Sequence, residues 1–462
     1  MSIVFVNNLD ISLYIKYNKS MNDDTKDMIK DLAALVEVPS VASVAEENAP
    51  FGTENRLALD IFLSRAKELG LKTGECGGYA GWAEYGEGKL TAGALAHLDV
   101  VPASDGWTSP PFTLDVRGGM MYGRGVSDDK GPLVACLYAL ARLAEEKRML
   151  RGRVRLIAGC NEEEGSACIK HYVSSGCEIP ALSFTPDSDF PVTASEKGIA
   201  HIAVTLPESD ETAASLAELS GGTRPNIVPD FCLAAIRAGS PAAKRAKDIP
   251  EADGMLRITA RGVSAHGSAP EKGDNAITKL LPRLAELLPR DEGLRAAAEL
   301  FRDLSSPARL GLGGEDESGK TTLNVGMISC SDRRITLTLD LRLPAMYTAG
   351  DAVKALGKAF PRGTDIRVLH AAKALIADED SPLVRTLMDV YREHTGDYSS
   401  RPLHIGGGTY AKELPGCVAF GAVFPGRETH MHETDECYPL ADFEKLVDIY
   451  RDAFIRLDEL AG

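Results

Sequence analysis

The sequence lacks a basic excess: 51 lysines and arginines stand against 67 aspartates and glutamates, for a formal net charge of −16. Nucleic-acid partners select a positive face, so this balance argues against one. There is no apolar run long enough to span a bilayer, and no membrane partner is expected. There is no C-x-x-C pair among the nine scattered cysteines, which argues against a disulfide framework and against a structural zinc cluster of thiolates. Cys136, Cys232 and Cys417 lie in apolar surroundings and read as small core residues, and a reducing, cytoplasmic location is expected. Residues 1–20, "MSIVFVNNLDISLYIKYNKS", lack a basic segment and a small-residue cleavage site, which makes them a poor signal peptide. They read as a disordered extension ahead of residue 21.

What remains is ample for two cores. The chain has 462 residues, 44% of them hydrophobic and 26% charged. Over residues 21–197, helical and strand patterns alternate. "NDDTKDMIKDLAALVEV" and "NRLALDIFLSRAKELG" carry apolar residues at helical spacing, and "LTAGALAHLDVV" and "RVRLIAGC" are near-continuous apolar runs. Strands that read this way are buried on both faces, so an α/β domain is expected, with a mostly parallel sheet and helices on both sides. Over residues 198–377 the texture changes to apolar–polar alternation, as in "MLRITARG" and "RRITLTLDLRLP". That stretch reads as an inserted α+β domain, with two similar halves as one possibility. Residues 378–462 return to the first style and complete the first domain.

Charged clusters follow the apolar runs. "AHLDVVP" carries His97 and Asp99, "GRGVSDDKGP" carries Asp128 and Asp129, "NEEEGS" carries Glu162, Glu163 and Glu164, and "FTPDSDFP" carries Asp187 and Asp189. "THMHETDECY" adds His430 and His432 near the C-terminus. Each has an ordinary reading: a structural histidine, a helix cap, a solvated glutamate run, a turn. Their repeated placement past strand ends favours one shared site, because ligands bind at the carboxyl ends of strands in such sheets. Imidazole with carboxylate is a donor set for zinc, manganese or cobalt.

In that order, with an H-x-x-D-E element at the end, these motifs resemble the co-catalytic di-zinc metallopeptidases, which include carboxypeptidase G, aminoacylase and carnosinase relatives. The long insert and "VSAHGSAPEKGDNA" resemble the bacterial PepV-type dipeptidases most. The resemblance implies two divalent metal ions, Zn2+ first and Mn2+ or Co2+ as alternatives. His97 and Asp187 would serve one ion and Glu163 and His432 the other, with Asp128 bridging both. Glu162 would be the general base, and the Asp99 carboxylate would orient the His97 imidazole. Gly165 fixes the register that makes Glu162 and Glu163 the functional pair and leaves Glu164 solvated. Two divalent cations would neutralise Asp128, Glu163, Asp187 and a bridging hydroxide, which accounts for so many adjacent carboxylates.

In the insert, the resemblance makes His266 a catalytic lid residue that stabilises the oxyanion. Arg342 and, less directly, Asn226 would bind substrate. "IGGGTYA" would offer Gly407, Gly408 and Thr409 to the substrate carboxylate. It also implies a cis Asp128–Asp129 peptide bond, and a monomer whose insert supplies His266 within the same chain. The expected activity is hydrolysis of dipeptides with a free amino terminus, since the family typically has Asp at the position of Asp187 where the substrate amine is free. The alternatives are a deacylase of N-acyl amino acids or succinylated diamines, and a catalytically silent metal-binding relative.

Overall fold

The computed structural model describes residues 23–302 and 307–462, so the expected N-terminal extension lies outside the described residues. Two compact units emerge. The first takes the chain up to Ala194, then Ala377–Leu403 and Thr409–Gly462; the second takes Ser195–Ile376 and His404–Gly408. The sequence reading kept residues 404–408 in the first domain. They group with the second unit: Lys197 N–H donates to the Ile405 carbonyl at 3.1 Å and Ser195 Oγ lies 2.7 Å from His404 Nδ1, while the strand Leu403–Ile405 also pairs with Thr193–Glu196. Among the described residues, no helix is long and apolar enough to cross a membrane.

The sheet of the first unit is built around Leu90–His97, which is buried at every position. This strand runs parallel to Arg153–Gly159 on one side and to Leu182–Thr185 on the other, and Cys417–Ala419 extends the parallel centre. Beyond Arg153–Gly159 the sheet turns antiparallel through Ala80–Gly86 and Lys72–Cys76. A sheet that is parallel throughout was not possible there. Gly77 and Gly78, at φ 56° and 75°, close a tight turn between the two outer strands, and so short a link joins only antiparallel partners.

The helix Lys130–Glu145 is buried on nearly all sides, with Pro132 in its first turn, where a missing N–H costs nothing. The final helix, Leu440–Ala461, buries Phe443, Leu446, Val447, Tyr450, Phe454 and Leu457, which recur at helical spacing along one face. Tyr450 and Phe454 pack on Phe184 of the sheet with ring centroids 5.2 and 5.5 Å away. His97 lies level with Gly159 in the parallel register, so the segments leaving both strands emerge at one edge.

The second unit is one eight-stranded antiparallel sheet with its own core. Its centre is the pairing of Leu216–Gly221 with Thr322–Ser331. Outward from Leu216–Gly221 lie Phe231–Arg237, Met255–Arg261 and Glu251–Ala252; outward from Thr322–Ser331 lie Arg334–Leu343, Gly198–Thr205 and Asp365–Ala372. That central pairing divides the sheet into two sets of four strands, and Gly198–Thr205, the first strand in the chain, lies in the set of Thr322–Ser331. Helices begin at clean caps: Asn275 accepts from Ile277 and Thr278 N–H, and Thr348 and Asp351 form a reciprocal capping box.

Candidate metal centre

His97 ends its strand fully buried. Its Nδ1 lies 2.9 Å from the Asp99 backbone carbonyl, which can only accept, so Nδ1 carries a proton. Nε2 then faces Asp128 Oδ1 at 2.9 Å and Asp187 Oδ2 at 3.9 Å. On the other side of Asp128, Oδ2 lies 2.8 Å from His432 Nε2, and His432 Nε2 lies 3.3 Å from Glu163 Oε2. One carboxylate thus presents each of its oxygens to a different imidazole. The Asp128–Asp129 peptide bond is cis, the geometry that the resemblance implies.

Glu162 and Glu163 sit on the turn that leaves Arg153–Gly159. Gly165, at φ 105°, donates its N–H to the Glu162 carbonyl at 3.0 Å and closes the turn. Glu164 is exposed. The role expected for Asp99 needs correction: its backbone carbonyl, not its carboxylate, receives His97 Nδ1–H, and the nearest carboxylate oxygen is 3.6 Å from Nδ1. The Asp99 carboxylate instead accepts the Glu162 and Glu163 backbone N–H groups, both at 3.0 Å. A loop of bare amides beside a buried carboxylate is the better hydrogen-bonding match, and Asp99 holds the glutamate turn in place.

Charge at this edge is strongly one-sided. Burial first, and then the neighbouring carboxylates, push Glu162, Asp187 and Asp129 well above the usual carboxylate range, with His97 opposing. Burial would raise Asp128 as well, but the His432 and His97 imidazoles override it and hold it well below that range. Burial would lower His432, yet Asp128 and Glu163 push it up to about 11. Glu163 Oε1 is buried without a hydrogen-bond partner. An orphaned carboxylate oxygen, and an imidazole nitrogen held against carboxylates, are what a cation site looks like before charge is supplied. Ligand atoms of His97, Asp128 and Glu163 lie within 4.8 Å of one another, and so do those of His97, Glu162 and Asp187. The donor set fits divalent ions. Asp189 is exposed, and His430 points to Glu433 at 3.6 Å, so neither joins the cluster.

Three residues to which the sequence reading gave no role support the site. Asp129 accepts the His97 backbone N–H at 3.1 Å. Tyr410, fully buried, sets its ring edge-on to His97 with centroids 5.9 Å apart, and its hydroxyl lies 2.7 Å from Cys168 Sγ. Glu436 holds the Asp128 turn through its N–H groups. Two had a signal: Asp129 stands beside Asp128 in "GRGVSDDKGP", and Glu436 is the closing acid of the H-x-x-D-E element.

The residues expected in the insert form a group within the second unit. Asn226 accepts Gly267 N–H on its carbonyl at 2.7 Å, and Asn324 Nδ2 braces the same loop through the Pro225 and Ile227 carbonyls at 3.0 and 2.9 Å. Exposed His266 accepts Ser268 N–H on Nδ1 at 3.2 Å. Buried Arg342 forks onto Asp340 through Nε and Nη2, and its Nη1 reaches the Gly406 carbonyl at 3.5 Å. Gly407 and Gly408 follow in this unit, outside the left-handed region, so the run does not need glycine for its φ. Thr409 opens the return to the first unit and caps Ala411 N–H.

An α/β sheet with an imidazole–carboxylate cluster at the carboxyl ends of its parallel strands is the framework of a metallohydrolase. The chain belongs to peptidase family M20/M25/M40, whose profile it matches over residues 93–456. It is 33% identical over 456 residues to the Bacillus subtilis protein named "Putative dipeptidase YtjP", covering 94% of this chain and 97% of that one. A Staphylococcus epidermidis protein named "Putative dipeptidase" is 32% identical, with 93% and 97% covered. Human carnosine dipeptidase 1 shares the fold at a TM-score of 0.60 and 15% identity, over 97% of this chain and 98% of that one.

Proposed function

We propose that this chain is a dipeptidase that hydrolyses short peptides with a free amino terminus by means of two divalent cations. The observation that carries the reading is Asp128, with Oδ1 toward His97 and Oδ2 toward His432, as a carboxylate shared by two ions requires. His97 and Asp187 would hold one ion and Glu163 and His432 the other; zinc suits this set best, with manganese or cobalt as substitutes. Such ions, when bound, make water a stronger acid and polarise a carbonyl oxygen. Glu162 takes the proton of the attacking water and delivers it to the leaving amine nitrogen. Asp99, by fixing the Glu162 and Glu163 amides, keeps the base and its neighbour in register.

In the second unit, His266 Nδ1 accepts a hydrogen bond, so in the neutral ring Nε2 carries the proton, which is the donor an oxyanion needs. Asn226 assists there. Arg342, with Gly407, Gly408 and Thr409, grips the substrate carboxylate; Asp340 fixes the guanidinium through Nε and Nη2, and Nη1 lies beside the glycine run at Gly406. With the negative charge of Asp187 attracting the substrate ammonium, a grip on both ends would favour two residues. The names of the bacterial relatives support a dipeptidase.

A panel of free dipeptides, tripeptides, N-acetylated dipeptides and N-acyl amino acids, assayed with zinc, manganese or cobalt, tests this. Free dipeptides should be cleaved at least about 10²-fold faster than their acetylated forms, since a site built for an ammonium group rejects its blocked form. Equal rates on both forms would make the protein a deacylase.

The second unit holds both halves of its sheet in one chain, so we expect a monomer. Light scattering should give the mass of one chain. A stable dimer, with activity restored on mixing His266 and Glu162 variants, would overturn this. A cytoplasmic setting is part of this reading, in line with the scattered cysteines and the lack of a C-x-x-C pair in the sequence.

A further inference from the structure

Glu436 is fully buried, and its carboxylate is crowded with donors. Arg124 Nη1 reaches it at 2.7 Å, and the backbone N–H groups of Gly125, Ser127 and Asp128 reach it at 3.1, 2.9 and 3.2 Å. Arg124 is itself 1% exposed, and its Nη2 donates to the Glu433 carbonyl at 3.1 Å. Gly123 N–H adds a bond to the Glu436 carbonyl at 3.1 Å. Gly125, at φ 93°, lets this run of amides converge on one carboxylate.

These bonds join two segments. One is the turn that ends in Asp128; the other is the loop that carries His432 four positions before Glu436. That loop has His430, His432 and Asp435 at φ 51°, 64° and 57°, left-handed values that non-glycine residues keep only where neighbours enforce them. A buried carboxylate satisfied by a guanidinium and three amides is such an enforcer.

We propose that Glu436 is a positioning residue that sets Asp128 Oδ2 against His432 Nε2 and thereby governs the affinity of both cation sites. The inference rests on the reading of Asp128 and His432 as ligands. Because Asp128 would be shared, slackening its turn weakens both ions together.

Zinc titration calorimetry on the metal-stripped full chain tests it, with circular dichroism and the metal-free melting temperature recorded for each variant. Glu436→Gln should stay folded and bind both zinc ions about 10- to 100-fold more weakly, the usual scale for losing a group that orients a ligand. The pair Arg124→Gln with Glu436→Gln removes the unpaired buried charge, and should regain melting temperature but not zinc affinity. Wild-type zinc affinity in Glu436→Gln, alongside a loss in Asp128→Asn, would overturn this inference alone. Affinity that returns with melting temperature in the pair would overturn it too, because the loss would then be general destabilisation. Unchanged binding by Asp128→Asn would overturn the ligand reading itself. Should Glu436→Gln not fold, Glu436→Asp keeps the charge and withdraws it by one methylene; weakened zinc binding supports the proposal, and wild-type binding refutes it.

Discussion

Glu162→Gln is expected to lower kcat by about 10²- to 10⁴-fold while the purified protein still carries two metal ions. The amide matches the carboxylate in size and can accept a hydrogen bond, but it cannot carry a proton from water to an amine. KM should change little, since Glu162 is assigned to proton transfer and not to substrate binding. The structure makes the metal count the critical half of the experiment. Glu162 offers a ligand atom within 4.8 Å of those of His97 and Asp187, so its position alone is compatible with ligation. Its turn is held independently by Asp99 through two backbone N–H groups, so the substitution should not disturb Glu163. Loss of one ion from a folded Glu162→Gln protein would reassign it as a ligand.

Asp128→Ala should strip both ions and abolish activity in a protein that still folds. No other carboxylate in the cluster faces both imidazoles: Oδ1 and Oδ2 of Asp128 lie 2.9 and 2.8 Å from His97 and His432 Nε2. Without metal, Asp128 is paired with both imidazoles, so circular dichroism and the melting temperature of the variant are recorded beside its metal content. Asp187→Ala is the control, because Asp187 approaches only the His97 side and should cost mainly one ion. Elemental analysis of the folded variants decides. An Asp128→Ala protein that retains one ion at full occupancy would mean that the two sites do not share this residue.

His97, Asp128, Glu163 and Asp187 could be grouped from the sequence because each follows an apolar strand or opens a helix, and strand direction carries such positions to one sheet edge. Their roles as ligands, and that of His432, are what the family resemblance implies. His97 is the last residue of Leu90–His97, Asp187 lies two past Leu182–Thr185, and Asp128 and Asp129 precede Lys130–Glu145. Gly165 likewise set the register of the glutamate run, and Glu164 is exposed as that register requires. Local pattern also separated the two units, since strands buried on both faces and strands with one exposed face leave different periodicities.

Pairing between distant segments left no such trace. The hairpin at Gly77 and Gly78 adds an antiparallel strand at one edge of the sheet, yet that strand, Lys72–Cys76, is mostly exposed and lacks an apolar pattern. Residues 404–408 resemble their chain neighbours in composition; contacts with Lys197, Ser195 and Arg342 group them with the second unit. The Asp99 carboxylate could have faced His97 or the glutamate amides. That choice depends on where a turn more than sixty residues away comes to rest. Glu436 bonds Asp128 N–H across 308 residues. Residue type and local order were thus determined by the sequence alone, because strand, helix and turn preferences act over a few positions. Which carboxylate satisfies which buried N–H was decided by the tertiary structure, because a buried donor takes the acceptor that folding brings to it, whatever their separation along the chain.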